Sequence, residues 1–456
     1  MPEIEFSLRD FFHPLAIGQL GRAFARHQWE PEESWRGWRE QRLRAIVQAA
    51  ATQCDGWRER FARAGVAPSE VRSAADLARL PLLTKDDVRT LGSRLHARDA
   101  AAHQARPSFT SGTTGNPVAF LVDRHARVLE FVYYWRHWSW AGFRLGHRFA
   151  QLNAHHFLHH GRHELVARWQ PHLRRLMLNS AALSRANVHA YADAMRAQRV
   201  RFLKGLASPL YFLALLFEEH GIRDLKLQAL FSTGENLVPA RRAVMERVFG
   251  CRVLDSYGLL EQVASISECL DGGYHVNSDY CHHEFLPTAY ATPDGRALHA
   301  VVGTSLHNRS MPLLRYDVGD LVELAPPDAR CRCGRTLPLV KAVHGRTEDA
   351  VVTPDGRCVT ALFAVPDLVE GVVGVQFVQE EAASLCIRIV PGPAFDAARE
   401  RDFITWAERL VGPTMRVRVE RVAPEGLKRG PTGKIPLVLS TLPRARAIAS
   451  GSETAL

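Results

Sequence analysis

Apolar side chains recur at helical spacing across residues 33–64, from Trp35 and Trp38 to Ala50, which is typical of one or two amphipathic helices packed on a core. Pro81 then breaks the chain, and Thr84 is followed three residues later by Asp87, the pattern of a helix N-cap. We therefore predict a helical N-terminal region in which a new helix begins after Thr84.

Helical and strand patterns alternate between residues 186 and 260. The predicted order is helix 187–198, strand 200–203, helix 210–220, strand 227–232, helix 239–249 and strand 252–256. This alternation indicates a parallel sheet flanked by helices, and such sheets bind ligands at the carboxyl ends of their strands. Two polar segments fall at such ends: Thr233-Gly234-Glu235, and Tyr257-Gly258 with Glu261 after it.

The pattern changes beyond residue 345. Short strands at 372–378, 385–389 and 416–422 surround one helix at 397–410, which predicts a small α+β domain. We predict three parts: a large α/β domain over 1–345, a small lid domain over 346–442, and a flexible tail over 443–456.

A further stretch, 126–143, is rich in aromatic residues. Core packing is its first interpretation, and the wall of an apolar substrate pocket is the alternative.

Composition excludes several classes of protein. The longest apolar run, near residues 210–217, is too short to cross a bilayer, and the acidic N-terminus lacks the features of a signal peptide, so we expect a cytoplasmic protein without a membrane partner. The net charge is +10, but the arginines are scattered, and we expect no nucleic-acid partner. Eight irregularly spaced cysteines do not suggest a disulfide framework.

A hydroxyl-rich loop lies between two predicted strands, one ending near Phe109 and one over 118–122. Its two glycines allow a tight turn, and its amides and hydroxyls could surround phosphate oxygens. It is not a Walker loop, because no Gly-Lys-Ser/Thr follows, and by itself an ordinary turn is an equal interpretation. The residues concerned are Thr110, Ser111, Gly112, Thr113, Thr114 and Gly115.

Six motifs together resemble the adenylate-forming superfamily of acyl-CoA synthetases and luciferases, and more narrowly its phenylacetate–CoA ligase-like and coenzyme F390 synthetase-like branch. The likeness spans roughly residues 35–440 and includes the Leu-Pro-Leu-Leu-Thr-Lys-Asp-Asp stretch at 80–87. In chain order the motifs are Thr110–Pro117, Ser232–Glu235, Ser256–Glu261, Arg315–Asp320, Gly345–Asp349 and Gly433-Lys434.

The resemblance implies a role for each motif. The 110–115 loop would hold the β- and γ-phosphates of ATP, and Glu261 would hold Mg²⁺. Gly234, Glu235, Ser256, Tyr257 and Gly258 belong to the two motifs that would bind AMP, with Tyr257 and Gly234-Glu235 framing the adenine. Asp320 would take the ribose hydroxyls. Arg346 would lie on the ribose side of the domain boundary, Glu348 with Asp349 would form the hinge, and Lys434 would bridge the carboxylate and the α-phosphate. Read singly, each charged residue could instead be a cap, a surface charge or a structural ion pair.

Some positions depart from the family pattern. Leu260 stands where a threonine is usual, which removes a hydroxyl expected near the AMP phosphate, and Asp317 stands where the wider superfamily often has arginine. Bulky residues at 155–163 replace glycines of the carboxylate pocket, so the identity of the acid stays open. The histidines of that segment are interpreted as a solvated patch, or alternatively as a loop near the substrate.

A zinc site is predicted from four residues: Cys269, His275, Cys331 and Cys333. Three thiolates and one imidazole are the soft ligands that tetrahedral zinc prefers, and relatives of the branch carry a comparable set. Such a closed site would be structural and would hold the loop near Glu261. Reduced, half-buried cysteines are the alternative, and Cys281, His282 and His283 are substitute ligands if His275 is not one.

The function we expect is the ATP-dependent activation of a carboxylic acid to an acyl-adenylate, followed by transfer to coenzyme A. The acid would be aromatic or apolar, as in the phenylacetate–CoA ligases. An amine acceptor, a carrier-protein thiol, AMP transfer of the F390 synthetase type and a non-catalytic nucleotide-binding scaffold remain alternatives, and a homodimer stays open.

Overall fold

The computed structural model describes residues 10, 13–109, 119–153, 157, 165–235, 237, 239–292, 295–346, 351–354, 358–359, 372–392, 395–423, 426–428, 437–440 and 442. Within them, no helix has both the length and the apolar composition needed to cross a bilayer. The helices are α1 Gly21–His27, α2 Glu32–Gln53, α3 Asp55–Ala64, α4 Lys85–Leu91, α5 Arg124–Ser139, α6 Val188–Ala197, α7 Ala207–Glu219, α8 Pro239–Phe249 and α9 Ala397–Val411.

Twenty strands accompany these helices in the described part of the chain. They are β1 Arg106–Phe109, β2 Ala119–Val122, β3 Phe149–Leu152, β4 Ala167–Gln170, β5 Arg175–Leu178, β6 Phe202–Leu206, β7 Ala229–Thr233, β8 Arg252–Gly258, β9 Ser265–Glu268, β10 Tyr274–Val276, β11 Cys281–Ala291, β12 Ala297–Ser305, β13 Tyr316–Leu324, β14 Leu339–Arg346, β15 Val351–Val352, β16 Cys358–Val359, β17 Val372–Glu381, β18 Ser384–Pro391, β19 Arg416–Arg421 and β20 Val438–Ser440.

The N-terminal region is helical where the sequence predicts, with α2 and α3 over 32–64 and α4 beginning after Thr84. Helix α4 begins with a capping box, in which the Thr84 hydroxyl accepts from the Asp87 amide and the Asp87 carboxylate accepts from the Thr84 amide. The preceding segment lies beside the start of β13, because the Leu83 amide donates to the Arg315 carbonyl and the Leu83 carbonyl accepts from the Asp317 amide. This attaches the helical region to a strand that carries candidate site residues.

A 12-stranded sheet dominates the structure, in the order β11-β12-β13-β14-β10-β9-β8-β7-β6-β3-β5-β4. Its centre, β5-β3-β6-β7-β8, is parallel, as the alternating pattern predicts, and the strands on both sides are antiparallel. One face of the parallel part packs on α5, where the Trp138 ring stacks on Phe231 at 5.3 Å between centroids. The other face packs on α6, α7 and α8. Strands covered on both faces need nearly continuous apolar sequence, as β5 and β7 have.

A separate hydrophobic cluster forms in the C-terminal region. There β19-β18-β17-β20 make a four-stranded sheet, with β18-β19 and β17-β20 parallel and β17-β18 antiparallel. Helix α9 packs on it, and buried Phe377, Ile387 and Phe403 are members of the shared cluster. This is the small α+β unit that the sequence predicts. The proposed division at 345/346 stays a prediction.

Candidate adenylate-forming active site

Two candidate segments lie side by side at the carboxyl edge of the parallel sheet. Strands β7 and β8 are adjacent and parallel, and Thr233 is in register with Ser256. Gly234-Glu235 and Tyr257-Gly258 come directly after these two paired residues, so they lie next to each other at this edge of the sheet. Gly234 has φ +73°, and a Cβ there would lie 2.8 Å from Leu206 Cδ2, so the turn after β7 requires glycine.

Tyr257 and Asp320 meet although they are far apart in sequence. The Tyr257 hydroxyl donates to Asp320 Oδ2 at 2.8 Å, and Asp320 is buried. Asp320 lies on β13, where its Cα is paired with that of Arg346 on β14. The structure thus brings together an aromatic ring, a carboxylate and the backbone of Arg346, residues that the sequence assigned to the adenine and ribose. The side chain of Arg346 lies outside the described residues.

Glu261 lies in the turn that joins β8 to β9 and is half-buried. The next residue fixes this turn: Gln262 has φ +55°, and its Nε2 donates to Glu130 Oε2 of α5 at 3.0 Å. Burial raises the pKa of Glu130, and the Gln262 hydrogen bond opposes that shift. Leu260 is half-buried in the same turn. Glu130 and Gln262 carried no signal in the sequence, because their contact requires α5 to cross the sheet.

Two residues of the Arg315–Asp320 motif have structural partners. The Arg315 guanidinium forms an ion pair with Glu284 at 2.9 Å and donates to the carbonyls of Ala78 and Leu80. Asp317 Oδ1 accepts from the Gly319 amide at 3.0 Å, directly before Asp320. Both contacts fix the path of the chain into β13, and thereby the position of Asp320.

The four predicted metal ligands form one cluster. The ligand atoms of Cys269, His275, Cys331 and Cys333 all lie within 4.8 Å of one another. Cys269 Sγ is 3.4 Å from Cys331 Sγ, and Cys333 Sγ is 3.3 Å from His275 Nε2. Four ligands at about 2.0–2.3 Å from a zinc ion would be about 3.3–3.8 Å apart, so the donor types and these two separations fit tetrahedral zinc.

Glycine makes room for this cluster. A Cβ at Gly273 would lie 2.6 Å from Cys331 Sγ, a distance that neither atom tolerates. The substitute ligands are placed elsewhere: the Cys281 thiol donates to the Gln262 carbonyl, and His283 Nε2 accepts from the Ser265 amide.

The position of the cluster differs from the expectation. Strand β9 runs antiparallel to β8 from Ser265, which pairs with Gly258, to Glu268. Cys269 is therefore at the far end of β9 from Glu261. A bound ion would fix the β9–β10 turn and the segment before β14, rather than the Glu261 loop as the sequence suggested.

A buried ionic group connects this end of β9 to α8. Arg242 donates to Glu268 Oε2 at 2.7 Å, and the same oxygen accepts from the Asp255 amide of β8 at 2.9 Å. Burial and the nearby Glu268 carboxylate raise the pKa of Asp255 to about 7. None of these three residues was singled out from the sequence, because acids and arginines are common at helix and strand ends.

Several candidates lie outside the described residues, and their predicted roles stay predictions. These are the hydroxyl loop Thr110, Ser111, Gly112, Thr113, Thr114 and Gly115, the hinge pair Glu348 and Asp349, the histidines at 155, 156, 159 and 160, and Lys434. Ser256 is described and is buried, in register with Thr233 on one side and Ser267 on the other.

The fold is that of the adenylate-forming enzymes. The structure aligns with 2-hydroxyisobutyryl-CoA ligase, solved in the postadenylation state with an acyl-AMP, at a TM-score of 0.67 over 91% of each chain and 20% identity. This confirms the predicted class: a large α/β region with helix-flanked sheets and a small α+β region.

Sequence comparison then places the chain among particular relatives. It is 27% identical over 367 residues to a phenylacetate–coenzyme A ligase of Thermus thermophilus, covering 74% of this chain and 77% of the relative. It is 21% identical over 342 residues to the protein CapK of Staphylococcus aureus, covering 70% of each. No protein-family model matches the chain. The chain is thus similar in sequence to phenylacetate–coenzyme A ligases, the branch that its motifs resemble.

Proposed function

We propose that this protein activates a carboxylic acid with ATP, giving an acyl-adenylate and pyrophosphate, and then transfers the acyl group to coenzyme A. The observation that carries the proposal is the contact between Tyr257 and Asp320 beside the carboxyl ends of β7 and β8, within the fold of an enzyme that holds an acyl-AMP. A buried carboxylate can accept from both ribose hydroxyls, and an aromatic ring can pack on the adenine.

In the first half-reaction a carboxylate oxygen attacks the α-phosphorus, and pyrophosphate leaves. Negative charge is spread over the phosphoryl oxygens in the transition state, so cations and fixed donors supply most of the stabilisation. Glu261 would hold the Mg²⁺ that accompanies ATP. Lys434 would neutralise charge at the α-phosphate, and the 110–115 loop would donate to the β- and γ-phosphates.

In the second half-reaction the thiol of coenzyme A attacks the acyl carbonyl, and AMP leaves with the oxygen that came from the acid. This step is supported by the similarity to a phenylacetate–coenzyme A ligase and by the alignment with 2-hydroxyisobutyryl-CoA ligase. A lid over 346–442 would rotate near Glu348 between the two steps, placing Lys434 in the site for adenylation and withdrawing it before the thiol attacks.

We also propose that zinc binds Cys269, His275, Cys331 and Cys333. Four protein donors would complete a tetrahedral shell, so the ion would have no open position for substrate, and its role would be structural. Burial lowers the pKa of His275 to about 4, which leaves its imidazole neutral at physiological pH.

The experiment that tests the function is acid-dependent ATP–pyrophosphate exchange with the purified protein and a panel of carboxylic acids. The proposal expects exchange that requires Mg²⁺ and a particular subset of acids. Coenzyme A, amines and a carrier-protein thiol are then offered to the best acid. Exchange followed by CoA thioester formation supports the proposal, and exchange with an amide product favours the other acceptor class. Nucleotide binding without exchange on any acid would assign the scaffold function.

A further inference from the structure

A cavity of about 260 Å³ lies between α5 and the parallel sheet. Its walls are aromatic and include Phe131, Tyr134, Trp135 and Trp138 from α5. An engineered cavity of about 150 Å³ binds benzene, so this space accommodates one substituted ring. The aromatic stretch therefore serves in two ways, since its neighbour Tyr133 is buried in the core while these four residues line the cavity.

The cavity lies next to the candidate active site. Tyr134 lines it, and the hydroxyl of the same residue lies 3.9 Å from the position that a Cβ would take at Gly258. Gly258 follows Tyr257 at the end of β8, where the adenylate would form. A ligand that extended from the strand end along the Tyr134 ring would enter the cavity, which would then hold the body of the acid.

Cationic side chains distinguish this cavity from a purely apolar one. The ammonium of Lys204, on β6, lies 3.9 Å from the centroid of the Tyr134 ring and 5.4 Å from that of Trp138. Arg175 of β5 also lines the cavity, is buried, and is held by Gln170 Oε1 at 2.7 Å and Gln151 Oε1 at 3.0 Å. Arg174 and His172 add to this side.

The aromatic walls of the cavity strengthen the electrostatic interactions of Lys204 and Arg175. Aromatic faces stabilise an ammonium by cation–π attraction, and charges interact more strongly there than in water because the surroundings are less polar. Among the described residues that line the cavity there is no aspartate or glutamate. Glu130 lies outside the lining, where it accepts from Gln262 Nε2, and its carboxylate also interacts electrostatically with Lys204.

We propose that the acid activated by this protein carries a second anionic group on a ring-sized apolar body, and that Lys204 and Arg175 recognise that group. The inference rests on the proposed adenylation and narrows its substrate class from apolar acids to dianionic ones. One carboxylate would face the nucleotide at the strand end, and the other would lie beside Lys204 with the ring packed on Trp138.

The test uses pairs of acids that differ in one charge. ATP–pyrophosphate exchange is measured with 4-carboxyphenylacetate and with its isostere 4-carbamoylphenylacetate, and the 3-substituted pair covers the second geometry. We expect kcat/KM for the better dianion to exceed that of its carboxamide at least about tenfold. This preference should disappear in Lys204→Met and persist in Lys204→Arg. Lys226→Met, which removes an exposed lysine outside the cavity, should keep the wild-type preference.

The outcomes separate the two proposals. Equal or better use of both carboxamides by the wild-type enzyme overturns the dianion inference and leaves adenylation intact, whether or not Lys204→Met folds. If Lys204→Met folds and loses kcat/KM equally for both acids of a pair, the inference is also overturned, since that result would mean that Lys204 acts only in packing. Failure of every acid in exchange refutes the proposed function itself.

Discussion

The contact between Tyr257 and Asp320 offers a quantitative test of the candidate nucleotide site. Tyr257→Phe keeps the ring and removes one hydrogen bond of 2.8 Å to a buried carboxylate. Hydrogen bonds to charged groups contribute about 1.5–3 kcal/mol, and each 1.4 kcal/mol corresponds to about a tenfold change in an equilibrium constant. Asp320 has further interactions that help to hold it, so we expect the lower end of this range.

The expected result is a rise of about tenfold in KM for ATP with little change in kcat, because the contact with the ribose is equally strong in the ground state and in the transition state. The assay is pyrophosphate exchange at varied ATP and saturating acid. Tyr191→Phe is the matched control: its hydroxyl is also in a buried setting and donates to the Asn179 carbonyl at 2.6 Å, away from the strand ends. That variant should lose stability and keep its KM for ATP.

A KM for ATP that stays at the wild-type value in Tyr257→Phe, and also in Asp320→Asn, would refute the assignment of this pair to the nucleotide. Equal effects in Tyr257→Phe and Tyr191→Phe would show that the change acts through general destabilisation. Thermal melting of each variant distinguishes that case from a local one.

Three further predictions follow from other parts of the structure. Cys269→Ser should reduce bound zinc from one equivalent per chain toward zero, as measured by metal analysis of the purified protein, and should lower the melting temperature. Cys54→Ser, at a buried cysteine outside the cluster, should leave the metal content unchanged. Burial and the nearby His125 lower the pKa of His307 to about 3 in the folded protein. The folded state therefore keeps this ring neutral, while the unfolded chain takes up a proton below a pKa of about 6.5. The contribution of His307 to stability is lost as the pH falls below that unfolded-state pKa. Denaturant unfolding at pH 7 and pH 5 should show wild type losing about 1–2 kcal/mol more than His307→Gln, and equal losses would contradict the assignment. Lys434→Ala should slow acyl-adenylate formation by at least about a hundredfold and spare thioester formation from supplied acyl-AMP, and a normal rate of adenylation would remove Lys434 from the site.

The sequence predicted the elements around the parallel sheet because their periodicity is local. Helix α8 has the bounds 239–249 that the pattern indicated. Strand β6 begins later than predicted, at Phe202, because Arg199 takes φ +46° and the Val200 amide still bonds to the Met195 carbonyl at the end of α6. Such a turn is decided by hydrogen bonds that hydrophobicity does not report.

Contacts between distant segments could be anticipated only where a family motif marked them. Tyr257 and Asp320 were identified in this way, and the structure adds their direct hydrogen bond. Lys204 was not identified, because it lines the cavity only when β6, β3 and β5 lie side by side under α5. The pattern also could not separate buried Tyr133 from cavity-lining Tyr134, since adjacent residues on a helix face different surroundings and both are aromatic.

The most direct test of the central claim follows an oxygen atom. The enzyme is supplied with ATP, Mg²⁺, coenzyme A and an accepted acid labelled with ¹⁸O in both carboxylate oxygens, and AMP is analysed by mass spectrometry. If the carboxylate attacks the α-phosphorus, each AMP carries one ¹⁸O from the acid. AMP without the label, or ADP as the nucleotide product, would contradict acyl-adenylate formation by this protein.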